Sequence, residues 1–133
     1  MIRLSAASRE LRLGSIVWHP VPDARGDAKE NPRPIVILTP TEEIILDQPI
    51  VGVAVSTRVS EPPSPNEVPL PYSRLGHPAT RLRRRCVAVC NWLVEVRPTE
   101  LRPVEGYVPA KTLARILRRV REINEDPDID VER

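Results

Sequence analysis

The stretch Cys86-Val87-Ala88-Val89-Cys90-Asn91-Trp92-Leu93-Val94 decides what kind of domain this chain builds. Its β-branched and aromatic residues suit a pleated surface, and no three-to-four-residue repeat sets one face apart. It is the longest strand signal in the sequence, and it lies inside the segment from Arg81 to Val96. Shorter signals surround it. Ile35-Val36-Ile37-Leu38 is a continuous apolar run bounded by prolines, the pattern of a strand buried on both faces. Ile50 to Val59 is valine-rich and predicts another strand, with Ser56, Thr57 and Arg58 at its end. Ile16-Val17-Trp18 follows Gly14 and stops at His19-Pro20.

What separates these runs also points to strands. Val21 to Pro34 holds Pro22, Gly26, Pro32 and Pro34 among charged residues and reads as a long mobile loop. Glu61 to Pro71 carries Pro62, Pro63, Pro65, Pro69 and Pro71. Each proline removes a ladder donor, so this segment offers at most a short edge strand near Glu67 to Leu70. Gly76-His77-Pro78 marks a further turn. No helical crossover intervenes before residue 109, so the strands are expected to pair as antiparallel neighbours.

The period changes only at the end. Val108, Leu113, Ile116, Leu117, Val120 and Ile123 recur every three or four residues, with Arg115, Arg118, Arg119, Arg121 and Glu122 between them. This predicts one amphipathic helix, with Pro109 in its first turn and Leu113, Ile116, Leu117 and Val120 packed on the sheet. The fold class is therefore mainly β (α+β): a small barrel or rolled sheet with one C-terminal helix. Residues 1–13 read as an N-terminal extension, 14–123 as the domain, and 124–133 as an acidic, disordered tail.

Composition limits the function. A chain of 133 residues with 41% hydrophobic residues fits one core. No apolar run approaches the roughly 20 residues of a membrane helix. Arg3, Arg9, Glu10 and Arg12 leave no apolar region for a signal peptide, so the expected compartment is the cytoplasm. The net charge of +2 conceals a basic body, because much of the acid sits in the tail from Glu125 to Glu132. Arginine dominates the positive charge, and its planar fork matches phosphate.

Motif chemistry narrows the choice further. Cys86 and Cys90, four apart on a strand, are separated by about 13 Å at ~3.3 Å per residue, too far to share a zinc or bond to each other. They read as buried apolar-like residues. His19 and His77 have no partners at ligand spacing, so no metal or cofactor is expected. No phosphate-binding glycine loop or nucleophile elbow is present. What remains is Arg33 where the long loop enters the second strand, and Ser56, Thr57 and Arg58 at the end of the third. Guanidinium beside hydroxyl is the donor set that a phosphodiester requires.

Three of these stretches together resemble the MazF/PemK family of toxin–antitoxin toxins. Gly14-Ser15-Ile16-Val17-Trp18 is similar to the family's opening strand, which usually begins Gly-Asp. Gly26 with Arg33-Pro34-Ile35-Val36-Ile37-Leu38 is similar to its loop and "RP" strand. Val53-Ala54-Val55-Ser56-Thr57 is similar to the strand that ends in Thr or Ser. The likeness runs from about residue 14 to 123. It implies an SH3-like β-barrel, usually a homodimer, that cuts single-stranded RNA without metal and is neutralised by an antitoxin whose tail lies across the RNA groove. By position, Arg33 matches the catalytic arginine and Ser56 the catalytic Thr/Ser. Thr57, Arg58, Arg25 and Lys29 are the expected RNA-binding residues. Two departures are visible. The family's loop Glu falls at Ala28, with Asp27 and Glu30 adjacent, and its later acidic residue falls near Asn91. The general base thus has no assigned residue, and a catalytically weakened barrel that binds RNA or protein is the alternative.

Overall fold

The computed structural model describes residues 10–21 and 32–125. Most of the long loop, including Arg25 and Lys29, and the tail beyond Glu125 lie outside the described residues. Among the described residues six strands, β1 (Ser15–Pro20), β2 (Pro32–Ile37), β3 (Ile50–Ser56), β4 (Glu67–Pro69), β5 (Val87–Val96) and β6 (Gly106–Tyr107), precede one α-helix, α1 (Ala110–Glu125). They form a single antiparallel sheet in the order β4-β5-β3-β2-β1-β6, curled into a half-barrel.

The continuous apolar run at β2 is buried on both faces, as its composition requires. Val36 belongs to a cluster with Ile16, Val53 and Val55, whereas Ile35 and Ile37 belong to a second cluster with Val17, Ile50 and Val96. The helix covers the first cluster. Leu11, Ile44, Leu101 and Tyr107 pack against the second.

β5 serves both faces through a bulge. Its pairing with β3 runs Gly52↔Val94 and Val53↔Leu93, then resumes at Val55↔Ala88. β3 advances two residues (53 to 55) while β5 retreats five (93 to 88), so β5 carries three extra residues. Side chains alternate with a period of two, so an odd insertion exchanges the faces. Cys86, Ala88 and Cys90 therefore lie in the helix-side cluster, while Trp92, Val94 and Val96 pack on the other.

Some expected boundaries move. β3 stops at Ser56 rather than Val59, because the Ser56 hydroxyl accepts the Arg58 amide at 3.0 Å and turns the chain out of the ladder. Pro109 precedes the helix instead of entering its first turn. Its carbonyl accepts the Leu113 amide at 2.9 Å, so it occupies the N-cap position. The helix buries Ile116 and Ile123 and lays Leu113 and Val120 against the core. Leu117, expected among these, is only partly buried, since the 113/116/120/123 stripe points it to the flank. Residues ahead of β1 are fastened to the body. The Tyr107 hydroxyl donates to the Glu10 carbonyl at 2.8 Å, and the Arg12 guanidinium lies 3.9 Å from the Tyr107 ring centroid.

Candidate nucleic-acid site

Register brings together the two residues that sequence analysis selected. β2 and β3 pair Ile35↔Ala54, Val36↔Val53 and Ile37↔Gly52. Two further residues along the same antiparallel register, Arg33 falls opposite Ser56. Residues opposite each other in such a ladder project from the same face. The same register, continued to the strand ends, therefore sets Arg33 and Ser56 on one face at one end of the sheet.

The arginine head is fixed by its surroundings. Arg33 Nη1 donates to the Val55 carbonyl at 3.4 Å, and Cζ lies 4.8 Å from the Trp92 ring centroid. The bulge in β5 swings Trp92 onto this face, where its π-cloud faces the cation. Among the described residues the buried Arg33 Nε has no hydrogen-bond partner. Ser56 is partly exposed. Its oxygen accepts from the Arg58 amide, which orients the hydroxyl and leaves its proton to donate to an incoming anion. Thr57 and Arg58 are exposed just beyond.

A cleft of about 910 Å³ adjoins this strand end. Arg33 and Thr57 line it, whereas Ser56 and Arg58 do not. The pleat turns Val55 and Thr57 toward the cleft and Ser56 to the other face of β3; Arg33, on the face of Ser56 by register, borders the cleft at the strand end between Pro32 and Pro34. The cleft's other walls carry Trp18, Leu82, Arg81, Arg83, Arg84 and Arg102. None of these was selected from the sequence. The Arg83-Arg84-Arg85 run before β5 was the legible sign, but only the fold shows which of the three face the cleft. Arg85 instead pairs with Glu61 at 4.0 Å.

The cysteines are separate from this chemistry. Both are free and buried, and burial pushes each thiol up to about 11 despite Arg119 and Arg115 near Cys90. Thiols so far from ionisation are poor nucleophiles. His77 is a structural residue, since its Nδ1 accepts the amides of Ala79 and Thr80 at 3.0 and 3.3 Å. Asn91, where the resemblance places an acidic residue, is exposed. Among the described residues no cluster of three or more His, Cys, Asp or Glu could hold a metal ion. No helix among them is long and apolar enough to cross a membrane.

Comparison with known families decides the relationship. The family model described as the PemK-like, MazF-like toxin of type II toxin–antitoxin systems matches residues 12–124. The chain belongs to that family. Solved structures of MazF proteins share its fold at low identity. MazF of Deinococcus radiodurans superposes with a TM-score of 0.66 and 19% identity, covering 87% of this chain and 97% of that one. Toxin MazF-mt6 of Mycobacterium tuberculosis gives 0.58 and 16%, over 81% and 93%. A mycobacterial endoribonuclease in complex with its cognate antitoxin gives 0.58 and 15%, over 84% and 90%. No curated protein matches the chain.

Proposed function

We propose that this MazF/PemK-family toxin is an endoribonuclease that cleaves single-stranded RNA without metal and is held inactive by a cognate antitoxin. The observation that carries the reading is the β2–β3 register, which, continued two residues past Ile35↔Ala54, sets Arg33 opposite Ser56. In the reaction a ribose 2′-oxygen attacks the adjacent phosphorus and loses its proton. The bond from phosphorus to the 5′-oxygen breaks, and that oxygen takes up a proton. Charge accumulates on the non-bridging oxygens as the fifth bond forms. A guanidinium already anchored by Trp92 and the Val55 carbonyl meets that charge without reorganising, the condition under which such donors are most effective. The Ser56 hydroxyl donates to the same phosphate.

The antitoxin reading rests on family membership and on the complexed structure among the similar folds. A homodimer is the assembly the family implies. The non-catalytic alternative draws on exposed Asn91, an amide that cannot act as a base. Incubating the protein with single-stranded RNA in EDTA separates the two readings. Cleavage to a 2′,3′-cyclic phosphate, abolished when the ribose at the cut carries no 2′-hydroxyl, is the expected result. RNA that stays intact at high protein concentration leaves only the binding module.

A further inference from the structure

His19 stands in the same row of the sheet as the two residues already assigned. β1 and β2 pair His19↔Arg33, and the β2–β3 register, continued to the strand ends, sets Ser56 on the far side of Arg33. Residues opposite one another in antiparallel strands project from one face. The packing agrees. Val17, two residues before His19, and Ile35, two residues after Arg33, share the core cluster that Trp92 packs against. With neighbouring strands about 4.8 Å apart, the row from His19 through Arg33 to Ser56 spans roughly 10 Å.

Without the histidine this row lacks a proton acceptor. Guanidinium has donors only, so Arg33 cannot take a proton. The Ser56 oxygen already accepts the Arg58 amide at 3.0 Å. On the same face β5 contributes Trp92, Val94 and Val96, none of them a carboxylate. A neutral imidazole keeps one nitrogen lone pair free to accept, and imidazole is the side chain suited to moving protons near neutral pH.

The surroundings leave His19 available for this work. It is partly buried at the strand end, next to exposed Pro20. Among the described residues no hydrogen bond or ion pair engages its imidazole. His77, by contrast, has Nδ1 committed to the amides of Ala79 and Thr80. Arg33 is the charged side chain that the ladder sets against His19. β3 adds only neutral Ala54 and Ser56 to this face, and β6 pairs with β1 at Ser15 and Ile16, away from His19. Arg102 and Glu105, in the segment leading into β6, line the cleft with Trp18, which the pleat turns to the other face of β1.

We infer that His19 is the general base of the cleavage, the group that takes the proton from the attacking 2′-hydroxyl; the inference rests on the nuclease reading above. A phosphate seated at Arg33 has imidazole on one side and the Ser56 hydroxyl on the other. Attacking and leaving oxygens lie on opposite sides of phosphorus in such a displacement, so the row matches its geometry. The 2′-proton passes to the free imidazole nitrogen as the 2′-oxygen bonds to phosphorus. The bond from phosphorus to the 5′-oxygen breaks on the Ser56 side, and that oxygen takes up a proton from water. The imidazolium then returns its proton to solvent. His19 thus supplies the acceptor that Ala28 and Asn91 cannot.

The test compares single-turnover cleavage of single-stranded RNA in EDTA by wild-type, His19→Ala and His19→Gln proteins across a pH series. Binding of a fully 2′-O-methylated RNA, which offers no nucleophile, is measured beside it. The Gln variant keeps bulk and polarity without a basic nitrogen, so it reports on the role even where the Ala variant folds poorly. A loss of about a hundredfold or more in rate is expected in both, with binding of the methylated RNA unchanged. The wild-type rate rises with pH to a plateau as the base sheds its proton, and the Gln variant lacks that rise. Cleavage by the Gln variant at the wild-type rate overturns the inference and leaves the nuclease reading standing. So does a slow variant whose affinity for the methylated RNA falls in proportion, because His19 then only holds substrate. So does a defect that vanishes when sulfur replaces the 5′-oxygen at the cut, because sulfur leaves without a proton and His19 is then the acid. Wild-type protein that never cuts overturns the nuclease reading itself, and the inference with it.

Discussion

The guanidinium carbon of Arg33 stands 4.8 Å from the ring centroid of Trp92, a residue carried onto that face by the three extra residues of the β5 bulge. The two side chains come from strands that do not pair with each other, since β3 lies between them. The arginine thus reaches across β3, donating to the Val55 carbonyl on the way, to a ring that sets its orientation. A cation fixed in advance contributes more to a charged transition state than one that must be ordered during the reaction.

Trp92 is therefore a positioning residue. Trp92→Ala is expected to lower kcat roughly tenfold, in line with loss of a partly desolvated cation–π contact, while KM changes little. Trp92→Phe retains a π-face and should recover most of the rate. Equal kcat in the Ala variant and the wild type contradicts the role.

The helix holds the domain through Ile116 rather than Leu117. Ile116 is fully buried and Leu117 only partly so. Ile116→Ala should cost about 2–5 kcal/mol in urea unfolding. Leu117→Ala should cost about 1 kcal/mol, in proportion to the smaller area it withdraws from water. The reverse order would mean that the helix packs with a different face inward.

Cys86 and Cys90 should resist thiol reagents in the folded protein and react on unfolding. Burial raises both thiols from 9.0 to about 11, so the unfolded chain releases these protons first as pH rises. Above pH about 9 the unfolded state binds fewer protons than the folded state, and stability falls as pH climbs toward 11. A Cys86→Ala, Cys90→Ala double should flatten that decline. A wild-type urea midpoint that is constant between pH 9 and 11 contradicts the assignment.

Much of this was legible in the chain. The unbroken run at Ile35–Ile37 announced a strand covered on both sides, and the 113/116/120/123 spacing announced the helix. The prolines between Glu61 and Pro71 confined that segment to the short edge strand β4. The bulge was not legible, because Val89-Cys90-Asn91-Trp92 reads as uninterrupted strand and only pairing with β3 exposes the extra residues. For that reason Trp92 could not be placed beneath Arg33, although Arg33 and Ser56 were both selected. The cleft arginines were hidden for a related reason. Arg81 and Arg102 are far apart in sequence, and the close seat of Gly106 against Thr80 that brings their segments together leaves no periodic trace.

The most direct measurement is the single-turnover cleavage rate of a single-stranded RNA in EDTA by wild-type, Arg33→Ala and Ser56→Ala proteins of matched folding stability. The account predicts cleavage by the wild type, and a loss on the order of a hundredfold when Arg33 is removed. It also predicts a clear loss for Ser56→Ala that Ser56→Thr restores. Equal rates for the wild type and the Arg33→Ala protein would contradict it.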